Sequence, residues 1–508
     1  MPQTSDIYVI RYIFSILHAP QNPTKVAESP RQPRSAATTA KLATHSLLSF
    51  KDSLPFALFY HYFLPIFTLL FAQHQIGGHM IPVGNSYIPR ILDTTVQTHL
   101  KAFGAVEIAG TMWSGKTRTS LEHGSSECNL DDPETRALAE MAPDSILSGE
   151  TPRVIDEWQI VPPLWDAVRR RVDAAPHERG LYILTGSSRP AKSSTMHTGS
   201  GRISRLRMWP MSLQESGASS AKVSLSALFE GEFQPASNET SPARLAELVC
   251  CGGWPAALSL DRDLAALVAT QYVDALVASQ DAVAPEPESD LRRFLQSLAR
   301  NMGSAPKVDT LTADMGYLTD GKVTETGRRR TRDLLAYFTS RFVVDELRGW
   351  EAPIKSPQRL RSRPRYDFAD PSIPAALLGV DERSLLGNFQ LFGQLFEQMC
   401  LRDLRVYTSA LSKTKPDSLH YYRDADGLEV DAIIELRDGR WGAIEIKLGA
   451  NKAEDAERSL LRLQRKIAGN PTARNPNPSF LLALVGVGQF AYKMPSGVLV
   501  VPLTCLGA

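Results

Sequence analysis

Cysteine and histidine are few and scattered in this chain. The five cysteines stand at Cys128, Cys250, Cys251, Cys400 and Cys505, with no CxxC pair and no histidine at metal-ligand spacing. A disulfide framework and a zinc site are therefore not expected, and reduced thiols in a cytoplasmic protein are the simple reading, with adjacent Cys250 and Cys251 as packing residues. The ten histidines form no cluster, and no GxSxG motif or cysteine-nucleophile context is present, which sets aside hydrolases of those classes. An excess of one charge is also missing: 56 Lys and Arg face 55 Asp and Glu, a formal balance of +1, so no global nucleic-acid signature exists. Internal repeats are not evident. Acidic residues are nearly absent from the first ninety positions, where only Asp6, Glu28 and Asp52 occur.

What is present is ordinary globular composition: 43% hydrophobic, 22% charged and 8% aromatic residues, which excludes disordered, collagenous and polytopic membrane classes. Against roughly 150 residues per domain, 508 residues suggest three domains. Residues 1–84 stand apart. Their apolar run from Leu54 to Ala72 is about long enough to span a bilayer, but Pro55 and Pro65 interrupt it, so membrane evidence is weak. The expectation is a start assigned too early, with the functional chain beginning near Met80; a disordered leader and a membrane anchor are the competing readings.

The first chemical motif follows the apolar run Val106 to Ala109. In GTMWSGKTRTS, Gly110, Gly115, Lys116 and Thr117 satisfy GxxxxGK[ST], with Ser114 and Arg118 as further contacts. Glycines let backbone N–H groups wrap a polyphosphate, the lysine reaches the outer phosphates, and the hydroxyl ligates Mg2+. About forty residues on, RVIDEWQ places Asp156 and Glu157 after a short apolar strand. Asp156 is expected in the magnesium shell, and Glu157 is expected to polarise the attacking water. A buried strand at Leu181 to Leu184 then leads to the hydroxyls Thr185, Ser187 and Ser188, placed to sense a γ-phosphate; a helix cap or turn is the bland alternative. In GRISRLRMWPMSLQESG, Arg202 and Arg205 are the candidates for transition-state charge, within the subunit or across to a neighbour, against the competing reading of an exposed basic strand.

Further along, residues 290–350 show short helices with apolar periodicity (Leu291, Leu295, Leu298, Ala299) and a strand-like FVVDEL, which suggests a winged-helix arrangement. Arg328, Arg329, Arg330 and Arg332 cluster where a recognition helix would begin and suit DNA phosphates; a solvated face or an interdomain contact is the alternative. In the last third, GNFQLFGQLFEQMCLRDL reads as an amphipathic helix with Phe389, Phe392, Phe396 and Met399 on one side and Glu397 near them. HYYRDADGLEVDAIIEL and GRWGAIEIKLG then read as strands joined by turns. Asp431 precedes Glu445 by fourteen positions, as a hairpin requires, and strand alternation points Glu445 and Lys447 to one face with Ile444 and Ile446 on the other. Two carboxylates and a lysine are what metal-assisted phosphodiester hydrolysis needs; a buried ion pair in a scaffold is the alternative.

The order GTMWSGKT, VIDEWQ, LYILTGSS, GRISRLRMWPMSLQESG and CCGGWPAAL, preceded by YIPRILD at Tyr87 to Asp93, resembles prokaryotic AAA-type ATPases whose C-terminal half is a domain of unknown function with a nuclease-like core. The likeness runs from about Tyr87 to near the C-terminus. It implies binding of ATP with Mg2+ and hydrolysis, a winged-helix module, and a PD-(D/E)xK nuclease core with Asp431, Glu445 and Lys447 as its centre and Glu397 as a further ligand. The expected architecture is accordingly α/β: a P-loop AAA-type ATPase domain at 85–280, a helical winged-helix-like module at 281–370, and a restriction-endonuclease-like α/β domain at 371–508. The best linker is Asp281 to Asp290, with a second joint around Arg361 to Asp370. ATP is the expected ligand, and DNA or a protein is the expected partner. The oligomeric state is open between a homo-oligomeric ring and a monomeric switch.

Overall fold

The computed structural model describes residues 87–189, 198–278, 287–353, 355–357, 359, 362–412, 414 and 418–508. The leader, its apolar run and most of the expected linker at Asp281 to Asp290 lie outside them. Among the described residues no helix is long and apolar enough to cross a membrane.

The nucleotide-binding part alternates strands and helices: α1 (Asp93–Ala102), β1 (Ala105–Gly110), α2 (Lys116–His123), β2 (Ser126–Asn129), α3 (Pro133–Met141), β3 (Arg153–Asp156), α4 (Pro163–Ala174), β4 (Tyr182–Gly186) and β5 (Ile203–Met208). The strands form a parallel sheet of order β2-β3-β4-β1-β5. The inner strands β1, β3 and β4 are covered on both faces and largely apolar, as a parallel sheet demands, whereas the edge strands β2 and β5 carry exposed polar residues. Val106, Ile108, Val154, Ile183, Leu206 and Met208 pack under Leu92 and Val96 of the α1 region. Ala105, Ile155, Leu184 and Ile203 pack on the other face, with Trp158, Trp165 and Val168. The chain leaves β1 toward β2 at one edge, returns through β3 to β4, and then passes over β1 to β5. The carboxyl ends of β1 and β4 therefore sit at a switch in winding direction, where an open α/β sheet leaves a crevice for a ligand.

Beyond β5 come β6 (Val223–Ser224), α5 (Leu225–Phe229), β7 (Ala236–Ser237), α6 (Pro242–Cys251) and α7 (Arg262–Ala278). The sequence reading assigned these to the nucleotide-binding part. β6 in fact pairs with Leu506–Gly507 near the C-terminus, and β7 closes the edge of the C-terminal sheet. Two-residue strands carry no periodic signal, so sequence patterning had no means of showing this.

The middle segment comprises α8 (Glu288–Arg300), α9 (Val308–Asp314), the hairpin β8 (Leu318–Thr319) and β9 (Lys322–Val323), α10 (Glu325–Ser340), and the antiparallel pair β10 (Val344–Leu347) and β11 (Arg365–Phe368). Thr324 caps α10 by accepting from the Gly327 N–H, one of the donors a helix start leaves open. The expected joint at Arg361 to Asp370 contains β11, whose Arg365 and Phe368, with Asp367 between them and Asp370 just beyond, are all buried. Its polar letters read as linker, yet they are the members of buried ion pairs described below.

After α11 (Ser372–Leu378) and α12 (Glu382–Gly387) runs the long α13 (Phe389–Ala410), then β12 (Leu419–Arg423), β13 (Glu429–Glu435), β14 (Trp441–Gly449), α14 (Ala453–Ala468), β15 (Phe480–Val487), β16 (Phe490–Lys493), β17 (Leu499–Pro502) and β18 (Leu506–Gly507). The sheet order is β12-β13-β14-β15-β17-β16-β7. An antiparallel meander, β12 to β14, leads through α14 to β15, which lies parallel to β14. Phe392, Phe396 and Met399 of α13 are fully buried, whereas Phe389, expected beside them, is 67% exposed at the first turn.

Candidate nucleotide site and C-terminal acidic cluster

The loop between β1 and α2 has the shape its glycines dictate. A Cβ on Gly110 would stand 2.2 Å from the Met208 carbonyl oxygen, so only glycine lets β1 and β5 close there. Gly115 lies at φ 94°, a left-handed conformation that glycine adopts without steric cost, and it starts α2 with no side-chain cap. The first N–H groups of α2 are thereby left for an anion. Ser114 is buried and donates to the Thr111 carbonyl at 2.9 Å, and Lys116 Nζ donates to the same oxygen at 3.0 Å. Burial, with Arg207 adding to it, pulls the Lys116 pKa down, while Glu157 and Asp156 oppose the shift. Arg118, two residues beyond Lys116, is exposed.

The two acids are tied to this loop by hydroxyls. Thr117 Oγ1 donates to Asp156 at 2.9 and 3.1 Å. Thr185 Oγ1 donates to Asp156 Oδ1 and accepts from the Glu157 N–H at 2.9 Å. Burial pushes the Asp156 pKa up, against the Thr185 and Thr117 hydrogen bonds that lower it. Glu157 stands at φ 56°, which turns its side chain off the strand line. Its carboxylate accepts from Ser187 Oγ at 2.7 Å and from Gln159 Nε2. Thr185, expected to face a phosphate, is fully buried, and both of its hydrogen bonds go to the acidic pair. It positions those residues, and Ser187, two residues on, is the hydroxyl at the carboxylate itself.

The arginine expectations need correction. Arg202 precedes β5 at its amino end, where its carbonyl accepts from the Ala105 N–H, and its side chain pairs with Asp173 at 2.7 Å. The phosphate loop leaves the opposite end of the sheet, so Arg202 cannot complete the site of its own subunit; only action across to a neighbour remains for it. Arg205 lies in mid-strand opposite Glu107, ion-paired with it at 3.1 Å and stacked on Trp165. Two residues that motif reading passes over, Arg90 and Glu215, shape the loop instead. Arg90 of YIPRILD donates to the Ser114 carbonyl at 2.9 Å and the Trp209 carbonyl at 2.8 Å, and its Nε pairs with Glu215 of SLQESG at 3.0 Å. Glu107 accepts from Trp158 Nε1 at 3.0 Å. The signal for Arg90 and Glu215 was the pair of flanking phrases, whose contact across 125 positions is visible only in three dimensions.

Residues 104–217 match the family model of an AAA domain. The chain carries a P-loop domain of the AAA type. Residues 242–384 and 392–506 match two domains of unknown function, DUF8612 and DUF4143. Among solved structures, the chain is similar to the Walker-type ATPase PABY2304 of Pyrococcus abyssi, at 11% identity and a TM-score of 0.35, over 56% of this chain and 94% of that one. It is also similar to the Orc1 protein of Aeropyrum pernix in complex with DNA, at 14% identity and a TM-score of 0.25, over 60% of this chain and 97% of that one. At such TM-scores neither likeness carries an argument. No curated protein matches the chain.

In the C-terminal part, the hairpin of β13 and β14 gathers Asp431, Glu445 and Lys447. Asp431 Oδ2 accepts from the Ile446 N–H at 2.7 Å, and Lys447 Nζ lies 2.8 Å from Glu445 Oε1 and 3.8 Å from Asp431 Oδ2. Burial, then Asp431, pushes the Glu445 pKa up to about 8, against the pull of Lys447. Glu397 of α13 is bound to the Arg365 guanidinium. Burial raises the Glu397 pKa to about 7 despite that arginine. Every one of these carboxylates thus already has a cation or an N–H against it, and among the described residues no three His, Cys, Asp or Glu side chains are grouped to hold a metal ion. The donor set does not fit a divalent cation without displacing Arg365 and Lys447. The Oε2 atom of Glu445, buried without a hydrogen-bond partner, is the opening that remains. Of the basic cluster on α10, Arg328 pairs with Asp309 and Glu325, Arg330 with Asp290, and Arg332 with Glu325. These pairs offset the charge that a DNA phosphate would meet.

Proposed function

We propose that the chain binds ATP with Mg2+ in the loop from Gly110 to Thr117 and hydrolyses it, and that the nucleotide cycle switches the C-terminal part between two binding states. The observation that carries this reading is the hydrogen-bonded string Thr117–Asp156–Thr185–Glu157, which joins the loop to both acids at the carboxyl ends of β3 and β4. The Thr117 hydroxyl and the Asp156 carboxylate are oxygen donors in contact, as an octahedral magnesium shell with waters and phosphates requires. When bound, the ion neutralises charge on the phosphate oxygens. Lys116 exchanges its Thr111 carbonyl for the outer phosphates. Glu157, held by Ser187 and Gln159, orients a water and takes its proton as the water oxygen bonds to the γ-phosphorus and the bond to the β–γ bridging oxygen breaks, giving ADP and phosphate.

In this reading the AAA-type part ends near Gly217, and the segment from β6 onward belongs with the domain that it moves. That domain is a nuclease-like scaffold for a DNA or protein partner, because Arg365 and Lys447 already neutralise its carboxylates. The free thiols support a reducing, cytoplasmic setting. A second reading, a metal-dependent DNase, is favoured by the unpartnered oxygen of Glu445 alone. Supercoiled plasmid incubated with the full chain, ATP and Mg2+ or Mn2+ should stay intact, while DNA binding and ATP turnover with and without DNA report on docking. Nicking that disappears in Lys447→Ala decides for the DNase, and absence of saturable ATP binding removes both readings.

A further inference from the structure

Side chains two residues apart on a strand share a face, so Arg205 and Arg207 of β5 point the same way. Their positions along the strand differ in consequence. Arg205 is opposite Glu107 in mid-strand, whereas Arg207 is opposite Ala109, one residue before β1 ends at Gly110. Arg207 is the arginine of this strand that stands at the phosphate-loop end of the sheet.

Its surroundings are unusual for a cation. The guanidinium is sandwiched between two rings, with Cζ 4.4 Å from the Trp209 centroid and 4.0 Å from that of Phe342. Nη2 donates to the Phe342 carbonyl at 3.1 Å, and Nε is buried without a hydrogen-bond partner. Among the described residues no carboxylate forms an ion pair with it. Burial pulls its pKa down to about 9, so it remains a cation at neutral pH. The Arg207 charge weakens the hold of Lys116 on its proton, while the Asp345 charge opposes the fall at Arg207 without bonding to it. A buried guanidinium bonded to no carboxylate is stabilised by an anion brought into contact with it.

The partner of Arg207 is strained. Phe342 follows the end of α10 at φ 62°, and the Val343 N–H returns to the Phe338 carbonyl, a helix ending that normally takes glycine at the left-handed position. A phenylalanine there has an energetic cost that something must offset, and the ring is clasped by Arg207 and by Arg189, whose Cζ is 5.0 Å away and whose N–H donates to the Ser340 carbonyl at 2.9 Å. The turn from Ser340 to Phe342 leads directly into β10, which pairs with β11 and so with Arg365 of the acidic cluster.

We propose that Arg207 is the arginine that closes on the γ-phosphate of ATP bound by the same subunit, giving up the Phe342 carbonyl as it does so. This rests on the ATPase reading and adds its charge-stabilising residue. The γ-phosphate supplies an anion in direct contact, and the charge-assisted bonds to its oxygens replace one bond to a neutral carbonyl. With ADP no such anion is present and the turn is clasped again. The nucleotide state is thereby transmitted to the β10–β11 pair.

The test uses the full chain and four measurements: binding of ATP and of ADP by wild type, turnover by Arg207→Ala and Arg207→Lys, ADP affinity of both variants, and amide exchange over residues 340–347 with a non-hydrolysable ATP analogue against ADP. Loss of an arginine that meets transition-state charge should lower kcat by about 10²-fold or more. ADP affinity should change little, and Arg207→Lys should recover only part of the loss because it lacks the planar fork. Exchange over 340–347 should be faster with the ATP analogue in wild type. If wild type binds and turns over ATP but kcat survives in Arg207→Ala, the assignment is wrong and the ATPase reading stands. Should Arg207→Ala not fold, equal exchange with the two nucleotides in wild type overturns it. A wild type that binds no ATP removes the ATPase reading itself.

Discussion

Exchange of Glu157 for glutamine should leave ATP bound and stop its turnover, while exchange of Lys116 for alanine should abolish binding itself. The two effects separate because the residues meet the nucleotide at different stages. Lys116 is buried and donates to a loop carbonyl, poised to transfer to phosphate oxygens that exist in the ground state. Glu157 has its carboxylate fixed by Ser187 and Gln159 at the edge of the loop, so its work falls on the water and on the transition state. Glutamine preserves shape and the hydrogen bond from Ser187, but its amide does not accept a proton, and removing a general base of this kind lowers rates by about 10²–10⁴-fold. The expected pattern for Glu157→Gln is therefore an unchanged ATP affinity with kcat reduced by about 10³-fold. Lys116→Ala should show no saturable ATP binding at millimolar nucleotide. Turnover in Glu157→Gln within a few-fold of wild type would move the base elsewhere, and Ser187 would be the first residue to question.

The contrast between these residues and Arg207 shows what local sequence conveys. Lys116, Thr117, Asp156 and Glu157 lie in short contiguous phrases, each attached to an apolar strand, and the direction of a strand fixes the end at which its motif emerges. The arginines after β4 lie in an equally short phrase, yet choosing among Arg202, Arg205 and Arg207 requires knowing where β5 starts relative to β1. That register is set by Ala105 pairing with Ile203, a contact between residues 98 positions apart. Asp431 and Glu445 were legible because a hairpin brings near neighbours together. Arg365 was not, since its partner Glu397 arrives on a different element, and a lone arginine in a polar stretch has the composition of a linker. Its burial turns the expected joint into the wall of the acidic cluster. The strand pairs that attach residues 223–224 to Leu506–Gly507 and residues 236–237 to the C-terminal sheet leave no periodic trace at all.

Replacing Arg402 by alanine should be strongly destabilising. Arg402 is 1% exposed; its Nη1 pairs with Asp370 at 2.8 Å and its Nη2 with Asp403 at 2.7 Å, and both carboxylates are fully buried. The remaining lone pairs of these acids hold backbone from distant segments. Asp370 accepts from the Gly253 N–H at 2.9 Å and the Ser372 N–H at 2.9 Å, and Asp403 from the Leu213 N–H at 3.0 Å. The CGGWP phrase, the end of the AAA-type part and α13 are thus tied by one guanidinium. Removing it strands two buried carboxylates, at a cost of about 3–5 kcal/mol where a buried pair loses one partner. That is a large share of the roughly 5–15 kcal/mol by which a folded domain is stable. Burial already raises the Asp403 pKa against the pull of Arg402, and without the arginine the Leu213 N–H and the Tyr407 hydroxyl are left to oppose that rise. A carboxyl whose pKa is higher folded than unfolded binds more protons in the native state over the intervening range, so the variant regains stability relative to wild type as pH falls through that range. Urea denaturation followed by tryptophan fluorescence, with Trp254 next to the knot, should show a much lower midpoint for Arg402→Ala at pH 7.5 and a smaller deficit at pH 5. A deficit that stays constant or grows toward low pH would mean that the loss lies in packing, and that the two acids are not left as bare charges.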